Sequence, residues 1–551
     1  MVALPPGVVL SSPSPTRGRS ILASRTFSPG AVIAVFAHDK GAPIIAIPDN
    51  EHLSRTCHYC LAVSSDQNPM ATSPVHVRAC TGCRIVYYCT PACQKADWAL
   101  AHGRGECKAF RRIQEEIQEE VDPKLLVLPT PVRALIQVLV RPEMQAAVAE
   151  MEGHMEAVRS DSDMTWAGLE FQARATLHYL NREANKSNLA EAMEAVCKLK
   201  LNSFNRLDVD VGQSGTYFNP ALSMINHSCI PNAFVQFIGR KAVLHAYREI
   251  KEGEEIEISY IECTLHRSYR QQALQKQYHF KCVCPRCKDD LDMYQVCQQY
   301  PHLELNSFSL VPDLDKLRHP PIKQHLQSNR SLQKYIEKIY PKYIEPLQGL
   351  SLPEFSKQLR RRWKICAPLR EAGLYAVEPL AQVIVDAGIY FCQKKNFQYA
   401  LALWCFLALN SDPYKAPMPF SVLRVKGMFM IAKLLANTAS VPPPASSGDT
   451  ESLSARISQF LGKIDQATMC QTILVMVIHH CPAAHSKEWQ IYHQAKAQLN
   501  DLESLKGRET ENALVNAFAR NPTGSEESRF FKMAVLEPIQ TLAGFCDEIV
   551  G

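Results

Sequence analysis

The chain has 551 residues, 46% of them hydrophobic and 21% charged, with a formal net charge of +5 at pH 7. This length predicts about three or four domains, and the composition excludes a disordered chain. The longest strongly apolar run, from Thr472 to Ile478, is far shorter than the ~20 residues that cross a bilayer. The first residues lack a basic secretory signal. We therefore expect a soluble intracellular protein.

The N-terminal part of the chain changes from β-like to helical. Residues 1–15 are rich in Pro and Ser, and we expect them to be mobile. From Arg17 to Ile47, short apolar runs are separated by the turn signal Ser28-Pro-Gly, which predicts a strand–turn–strand unit. Between 108 and 200, apolar residues recur every three or four positions, which predicts helices. The first of these apolar residues are Phe110, Ile113, Ile117 and Val121.

Residues 201–262 predict strands again, in three runs that are separated by turn glycines. These runs are Ala233–Ile238, Lys241–Tyr247 and Glu255–Tyr260. A long region from about 330 to the end is helical, and within it Ala381 to Leu409 is apolar almost all round, as a buried helix pair would be. The Pro- and Ser-rich stretch from Val441 to Gly448 is typical of a surface loop or linker.

The twenty cysteines are clustered, and seven of them lie between Cys57 and Cys107. Clustered C-x-x-C pairs in an intracellular-looking chain indicate metal ligands rather than disulfides. This window offers eight candidate ligands, enough for two tetrahedral zinc sites. They are Cys57, Cys60, Cys80, Cys83, Cys89, Cys93, His102 and Cys107.

The order of these ligands, with the run Tyr-Cys-x3-Cys-Gln-x3-Trp-x3-His that ends at His102, resembles the MYND zinc finger. The family usually has three residues between the last His and Cys; here there are four, and Gly103 and Gly105 can absorb the extra residue. MYND fingers usually bind proline-rich peptides or assist contact with DNA, and the sequence does not choose between them. The resemblance implies interleaved ligand pairs, with Cys57, Cys60, Cys89 and Cys93 on one ion and Cys80, Cys83, His102 and Cys107 on the other.

The most informative stretch is Asn226-His-Ser-Cys-Ile-Pro-Asn, followed by Gly253-Glu-Glu-Ile-Glu-Ile-Ser-Tyr and by Cys282-x-Cys-x2-Cys. In this order the three motifs resemble the SET domain of protein lysine methyltransferases with its post-SET zinc motif. With the MYND finger placed after Gly18-Arg-Ser, the chain is similar to the SET- and MYND-domain (SMYD) methyltransferases. The resemblance covers about residues 16–290 and reaches the C-terminal region only in architecture.

This resemblance implies an α+β multidomain fold. A β-rich SET core is split by a MYND zinc finger and a helical insert, and is followed by a zinc-binding post-SET segment and an all-α, tetratricopeptide-like C-terminal domain. The predicted organisation is a mobile N-terminus at 1–15, the N-terminal part of the SET domain at 16–50, the MYND finger at 51–107, the helical insert at 108–200, the core SET domain at 201–262, the post-SET motif at 263–290 and the helical repeat-like domain at 291–551.

The family's reaction is methyl transfer from S-adenosylmethionine to a lysine amine, an in-line displacement in which alignment and electrostatics supply most of the catalysis. The nucleophile must be the neutral amine. Deprotonating a lysine with a pKa of ~10.4 at pH 7 costs about 4.6 kcal/mol. A narrow apolar channel beside the sulfonium lowers this cost, because it disfavours a second positive charge.

The resemblance assigns roles to individual residues of the SET motifs. The hydroxyl of Tyr260 would lie at the transfer point, and Asn226 and His227 would bind the cofactor. Phe204 matches a wall of the lysine channel, and Tyr278 a channel aromatic. The three post-SET cysteines supply only three ligands of a third zinc ion, so the fourth must come from elsewhere. In the family it is the cysteine of Asn-His-Ser-Cys, and Cys263 is the alternative. The implied ligand set is Cys229, Cys282, Cys284 and Cys287.

Further cofactor contacts come from outside these motifs. Asn202 matches one of them, and Phe280 matches the aromatic that stacks on adenine. Arg17, Gly18 and Arg19 form the N-terminal cofactor loop, where the family commonly has Gly-x-Gly-Leu and this chain has Gly-Arg-Ser-Ile. The family's helical insert also contacts the cofactor, at a position that the sequence does not locate.

We therefore predict an S-adenosylmethionine-dependent protein-lysine N-methyltransferase that acts on histone or non-histone proteins and holds three zinc ions. The alternative is a scaffold that binds proline-rich partners and has a weak or inactive SET core. Eleven zinc-bound thiolates and three Zn²⁺ would bring the net charge to about zero, so the basicity is poor evidence for nucleic-acid binding. We expect a monomer without membrane contact, in the cytoplasm, the nucleus or both. The basic run at 360–362 predicts a solvated helix face.

Overall fold

The computed structural model describes residues 4–13, 17–37, 43–64, 75–117, 126–300, 307–343, 347, 349–439 and 452–551. Val121 and the linker predicted from Val441 to Gly448 lie outside these residues. The chain divides into two compact units. Unit 1 comprises Met1–Tyr260 and Ala273–Lys281, and unit 2 comprises Ile261–Gln272 and Cys282–Gly551.

Unit 1 contains every strand found in the described part of the chain. The strand runs predicted within 201–262 are confirmed as β10, β11 and β12. The strands are β1 (Val8–Leu10), β2 (Ile21–Ala23), β3 (Val32–Phe36), β4 (Ile45–Pro48), β5 (Arg78–Ala79), β6 (Tyr87–Tyr88), β7 (Phe204–Asp208), β8 (Gly212–Phe218), β9 (Asn226–His227), β10 (Ala233–Ile238), β11 (Lys241–Ala246) and β12 (Glu257–Ile258).

Strands from the two ends of unit 1 share sheets. β3 lies antiparallel to β11 in the order β10-β11-β3, and β4 lies antiparallel to β8 in the order β4-β8-β7. The chain therefore leaves these sheets after β4 and returns to them at β7. Everything between, from about residue 50 to residue 203, is inserted between paired strands.

The N-terminal segment differs from its prediction in two ways. β2 and β3 form as expected, but β2 pairs with β1 rather than with β3. The expectation that all of residues 1–15 are mobile is wrong for β1, which pairs Val8 with Ala23. The physical reason is burial, because the Val8 side chain is only 6% exposed within the main hydrophobic core.

The described residues between 108 and 200 are mostly helical, as the apolar spacing predicts, and the inserted region also contains the finger with β5, β6 and the first helix. Helix starts follow their caps: Ser162 accepts a hydrogen bond from the Thr165 N–H, and Asn185 accepts one from the Asn188 N–H. The helices are α1 (Pro91–Leu100), α2 (Glu106–Glu116), α3 (Thr130–Leu139), α4 (Pro142–Ala149), α5 (Met155–Asp161), α6 (Asp163–Tyr179) and α7 (Lys186–Asn202).

Apart from α8, which crosses the boundary between the units, the remaining helices belong to unit 2. A π-helical turn at Lys532–Leu536 joins α23 to α24. The helices are α8 (Arg267–Tyr278), α9 (Pro285–Lys288), α10 (Met293–Gln299), α11 (Leu314–Arg318), α12 (Arg330–Tyr343), α13 (Leu352–Ile365), α14 (Ala367–Glu371), α15 (Leu380–Gln393), α16 (Phe397–Asn410), α17 (Asp412–Lys415), α18 (Val422–Ala439), α19 (Leu453–Leu461), α20 (Gln466–Ala484), α21 (Gln490–Glu503), α22 (Glu509–Arg520), α23 (Ser525–Phe531), α24 (Glu537–Ala543) and α25 (Cys546–Val550).

The helix pair predicted from Ala381 to Leu409 is confirmed as α15 and α16. Among the described residues, only α20 is long and apolar enough to cross a membrane, and 67% of its apolar window is buried inside the protein, as in a core helix. The predicted solvated face at 360–362 is wrong for Arg362. Its side chain is buried and its guanidinium lies 3.4 Å from the Asp386 carboxylate.

Candidate active site and metal centres

The finger region brings its eight candidate ligands into two groups. Within each group, the ligand atoms all lie within 4.8 Å of one another, and none of the cysteines forms a disulfide. The sulfurs of Cys60 and Cys89 are 3.5 Å apart, close to the ~3.8 Å that tetrahedral Zn–S bonds of ~2.3 Å impose. The donor sets therefore fit zinc. The groups are Cys57, Cys60, Cys89 and Cys93, and Cys80, Cys83, His102 and Cys107.

Tight turns bring each C-x-x-C pair together. The Leu61 N–H donates to the Cys57 carbonyl, and the Arg84 N–H donates to the Cys80 carbonyl, both at 2.9 Å. Leu61 and Arg84 both have positive φ, at 63° and 59°. In each turn the left-handed residue follows the second cysteine and closes the turn, and both sulfurs of the pair belong to one ligand group.

Three glycines near His102 and Cys107 lie where any larger residue would collide with its neighbours. A Cβ on Gly82 would lie 2.8 Å from the Cys107 sulfur, and one on Gly103 would lie 2.6 Å from the Trp98 ring. A Cβ on Gly105 would lie 2.7 Å from the Val140 side chain. The longer spacing between His102 and Cys107 is therefore accommodated where the packing leaves no space for a side chain.

Unit 2 holds a third group of thiols. The sulfurs of Cys282, Cys284 and Cys287 lie within 4.8 Å of one another. The predicted fourth ligand, Cys229, belongs to unit 1, where its buried sulfur lies 3.3 Å from His227 Nε2. The alternative ligand, Cys263, belongs to unit 2, and its carbonyl accepts a hydrogen bond from Arg286. The fourth ligand stays a prediction.

The two SET motifs are joined by a short parallel strand pair. β9 lies parallel to β12, with Asn226 opposite Glu257 and His227 opposite Ile258. The pairing continues through the Tyr260 N–H, which donates to His227 Nδ1 at 3.0 Å. The strand pairing and this hydrogen bond from the backbone to the His227 side chain therefore hold the predicted cofactor residues beside the predicted catalytic tyrosine.

Four of the predicted site residues form one aromatic cluster. The ring of Tyr260 lies 4.8 Å from that of Tyr278 and 5.3 Å from that of His227. The His227 ring lies 6.0 Å from that of Phe280. Phe204 packs instead on Phe237, at 6.3 Å, and no aromatic contact among the described residues joins it to Tyr260.

The hydroxyl chemistry of this cluster is set by burial. Burial, with the neighbouring Tyr278, raises the pKa of Tyr260 above its usual range, and burial raises the pKa of Tyr278 to about 12. Both phenols are therefore protonated at neutral pH. The Tyr260 hydroxyl donates to the Ile225 carbonyl at 2.6 Å, so it serves as a hydrogen-bonding group and not as a base.

Two glutamates that the sequence interpretation missed pair with the predicted cofactor loop. The Asn226 amide nitrogen donates to Glu255 at 2.9 Å and to the Arg19 carbonyl at 3.2 Å, whereas its amide oxygen accepts no hydrogen bond from the described residues. The Arg17 guanidinium lies 3.3 Å from Glu255 and 2.6 Å from Glu257. The three acidic residues of Gly253-Glu-Glu-Ile-Glu were a possible signal, since the loop opposite is basic.

The structure of the loop at Arg17–Arg19 shows how the chain accommodates a serine where the family commonly has glycine. Gly18 has φ +65°, and a Cβ there would meet no atom of the described residues within 4 Å. Ser20 stands where the family commonly has glycine, and its hydroxyl lies 2.7 Å from that of Ser11. The serine is thus held by the N-terminal segment, and the open space lies over Gly18.

A short loop of the helical insert lies against three of these regions. The Arg19 guanidinium donates to the Glu150 carbonyl at 2.9 Å, and the Asn202 amide donates to the Glu152 carbonyl at 2.8 Å. The His154 ring lies 6.0 Å from that of His279, next to Phe280. Residues 150–154 are therefore the part of the insert beside the predicted cofactor residues. No sequence motif distinguishes them.

Comparison with known proteins finds matches over the SET part of the chain. The SET domain family matches residues 18–261. SET domain and MYND-type zinc finger protein 6 of Schizosaccharomyces pombe is 32% identical over 44% of this chain and 45% of the relative. Histone-lysine N-methyltransferase ASHR1 of Arabidopsis thaliana is 29% identical over 50% of this chain and 54% of the relative. Histone-lysine N-methyltransferase SMYD3 of Homo sapiens is 29% identical over 39% of this chain and 50% of the relative.

The chain thus covers about half the length of the curated relatives it matches. A solved SET domain structure of LSMT, bound to lysine and AdoHcy, aligns with 96% of each chain at 12% identity and a TM-score of 0.23, too weak a likeness to bear on the site.

The chain therefore carries a SET domain, with mixed α/β structure and a helical C-terminal region, and its cysteine clusters are compatible with zinc sites. The resemblance to the SET- and MYND-domain lysine methyltransferases is confirmed by these relatives.

Proposed function

We propose that this protein is an S-adenosylmethionine-dependent protein-lysine N-methyltransferase that acts on histone or non-histone proteins. The observation that carries the proposal is the β9–β12 pair, which holds Asn226 and His227 beside Tyr260 within a matched SET domain. The names of two relatives as histone-lysine N-methyltransferases support the substrate class.

The residues present fit the cofactor. The space over Gly18 that the described residues leave open admits a ligand close to the backbone. The Asn226 amide oxygen, which accepts no hydrogen bond from the described residues, offers an acceptor, and Phe280 offers an aromatic face beside His227. When bound, S-adenosylmethionine supplies a methyl group on a sulfonium cation. We assign the binding of S-adenosylmethionine to the predicted cofactor residues, which are Arg17, Gly18, Arg19, Asn202, Asn226, His227 and Phe280.

The chain's own contribution to the reaction is to exclude water and orient the amine. Tyr260 and Tyr278 present rings and protonated hydroxyls at one place. Burial of the amine beside the positively charged sulfonium would disfavour the ammonium form of lysine, which favours the neutral nucleophile. We assign the orienting hydrogen bond to the Tyr260 hydroxyl, and walls of the channel to Tyr278 and Phe204.

We further infer three zinc ions, with Cys229 as the fourth ligand of the post-SET site, and the domain organisation expected from the sequence: a SET domain at 16–50 and 201–262, a MYND finger at 51–107, an insert at 108–200, a post-SET motif at 263–290 and a helical repeat-like domain at 291–551. The pairing of β3 with β11 and of β4 with β8 supports this split SET core. A monomer in the cytoplasm, the nucleus or both, with proline-rich peptides as ligands of the finger, completes the proposal.

The scaffold alternative rested on two departures from the family pattern. Ser20 is held by Ser11, and Gly103 and Gly105 accommodate the extra residue before Cys107. Neither departure disturbs the site, so no observation favours the scaffold.

Calorimetry with S-adenosylmethionine, or its demethylated product, tests the proposal. We expect micromolar binding by the full chain, lost in His227→Ala because the ring accepts the Tyr260 N–H and packs on Phe280. His493→Ala, an exposed histidine of α21, is the control and should bind normally. Absence of binding by the folded, zinc-loaded chain would favour the scaffold.

A further inference from the structure

Beneath the finger lies a network of buried charged and polar side chains that the proposed reaction does not use. His58, Asp97, His102, Glu106 and Arg133 are each at most 1% exposed. Taking charges out of water costs several kcal/mol per ion unless they are paired and hydrogen-bonded. The buried charges are therefore tolerated only while their side chains stay paired in this geometry. Removing one of these side chains leaves another charge buried without a partner.

One end of the network holds a proposed metal ligand. His102 Nδ1 lies 3.0 Å from Glu106 Oε2, and His102 Nε2 lies 3.6 Å from the Cys83 sulfur. With the ring hydrogen on Nδ1 donated to the carboxylate, the lone pair of Nε2 points to the side where the thiols lie. Glu106 thus fixes both the tautomer and the orientation of the imidazole.

The other end reaches the sheets of unit 1. Arg133, on α3 of the insert, donates through Nε to Glu106 Oε1 at 3.0 Å. Its Nη1 donates to the Pro48 carbonyl at 2.9 Å and to Asn50 Oδ1 at 3.1 Å. Pro48 ends β4, which pairs with β8. One guanidinium therefore connects the carboxylate behind the finger's histidine to the central sheet.

The same guanidinium also reaches the other ligand group. Arg133 Nη2 donates to His58 Nε2 at 2.8 Å, and His58 Nδ1 donates to Asp97 at 2.7 Å. His58 lies between the ligand cysteines Cys57 and Cys60 in the chain. Asp97 also accepts from the Tyr88 hydroxyl at 2.8 Å. Both ligand groups therefore rest on side chains that Arg133 organises.

We propose that Glu106 and Arg133 are positioning residues for zinc: they hold His102 as a ligand of the second finger ion and tie retention of that ion to the fold of the insert and β4. Neither residue is a ligand. The inference rests on the proposed zinc site at Cys80, Cys83, His102 and Cys107 and is independent of methyl transfer.

The test is zinc release from the full chain. Elemental analysis first counts the zinc in each variant, and a chromophoric chelator then reports the rate at which each equivalent leaves. Glu106→Ala should release one equivalent about 10–100 times faster than wild type and leave the others unchanged. Glu106→Gln should restore part of the retention, because its amide oxygen still accepts from His102 Nδ1. Arg133→Met should accelerate the same equivalent.

The matched control is Glu116→Ala on the same helix. Glu116 is partly exposed and pairs with Arg112 at 2.9 Å, so its removal should leave all release rates unchanged. Wild-type rates in Glu106→Gln and Arg133→Met would overturn the inference, and so would equal acceleration of every equivalent, which indicates general unfolding. If Glu106→Ala does not fold, these two variants decide the result. A wild-type chain without zinc in the finger would remove the site itself, whatever its methyltransferase activity.

Discussion

At the scale of single residues, the hydrogen bonds within the protein decide which side-chain atoms of the site are held in place. The Asn226 amide nitrogen is held by Glu255, and the Tyr260 hydroxyl by the Ile225 carbonyl. Asn226, His227 and Tyr260 were predictable because each lies in a short contiguous motif. The pairing of Arg17 with Glu257 was not predicted, since 240 residues separate the two in the chain and an acidic run in the sequence does not name its basic partner.

Glu255→Ala tests the orienting role of this glutamate. The substitution removes one acceptor of the Asn226 amide nitrogen, leaving the Arg19 carbonyl in place, and it removes one partner of Arg17. We therefore expect the affinity for S-adenosylmethionine to fall about tenfold, which corresponds to the loss of one charge-assisted hydrogen bond. Calorimetry measures the change, with the exposed Glu252→Ala as control. Unchanged affinity in Glu255→Ala would show that Asn226 needs no such support.

At the scale of elements, hydrophobic periodicity predicted where strands and helices form better than it predicted which strands pair with one another. The alternating runs that became β10 and β11 show which residues share a face, but not that β3 would pair with β11. Residues 1–15 were predicted to be mobile from composition alone, yet β1 forms there because β2 offers it an edge. Pairing across long loops depends on the finished core, which local sequence does not encode.

Gly82→Ala tests the packing of a ligand turn. The added Cβ would lie 2.8 Å from the Cys107 sulfur, so we expect the chain to lose one zinc by elemental analysis. The control is Gly168→Ala on α6, where a Cβ meets no described atom within 4 Å. There we expect full zinc and a gain of about 0.5–1 kcal/mol in the free energy of unfolding. Full zinc in Gly82→Ala would contradict the assignment of Cys107 as a ligand.

The first residue of α17 makes the stability of unit 2 depend on pH. Burial raises the pKa of Asp412 to about 6, against the lowering influence of Lys415 and Arg424. The folded state therefore holds the proton more tightly than the unfolded state, and this contribution to stability is lost as pH rises from about 4 to about 6.

Asp412→Asn should remove this loss. We expect the variant to match wild type near pH 4 and to exceed it by about 2–3 kcal/mol in the free energy of unfolding above pH 6. Urea unfolding at several pH values measures the gap. A gap that does not widen with pH would contradict a raised pKa at this residue.

At the scale of the whole molecule, the motifs predicted the family and the ligand groups, because zinc chemistry demands cysteines at characteristic spacing. The fourth ligand of the post-SET group is the exception, since only three thiols are close in sequence. The insert loop at 150–154 was also beyond prediction, because its carbonyls contact Arg19 and Asn202 through backbone atoms that any residue carries.

The number of bound zinc ions tests the assignment of Cys229 as the fourth ligand of the post-SET site. Elemental analysis of wild type should give about three zinc ions per chain, and Cys229→Ser should give about two. Cys263→Ser is the matched control and should keep three. The reverse result, with loss only in Cys263→Ser, would assign the fourth ligand to Cys263, and about two ions in wild type would leave the post-SET group without zinc.

The most direct measurement is the transfer of a labelled methyl group. The full, zinc-loaded chain is incubated with labelled S-adenosylmethionine and with core histones or other candidate proteins, and Tyr260→Phe serves as the blank after calorimetry has established that it still binds the cofactor. We predict label on lysine with wild type and at least ~100-fold less with Tyr260→Phe, which lacks one preorganised hydrogen-bonding group. Equal labelling by the two proteins, or no labelled lysine in any candidate, would contradict lysine methylation at this site.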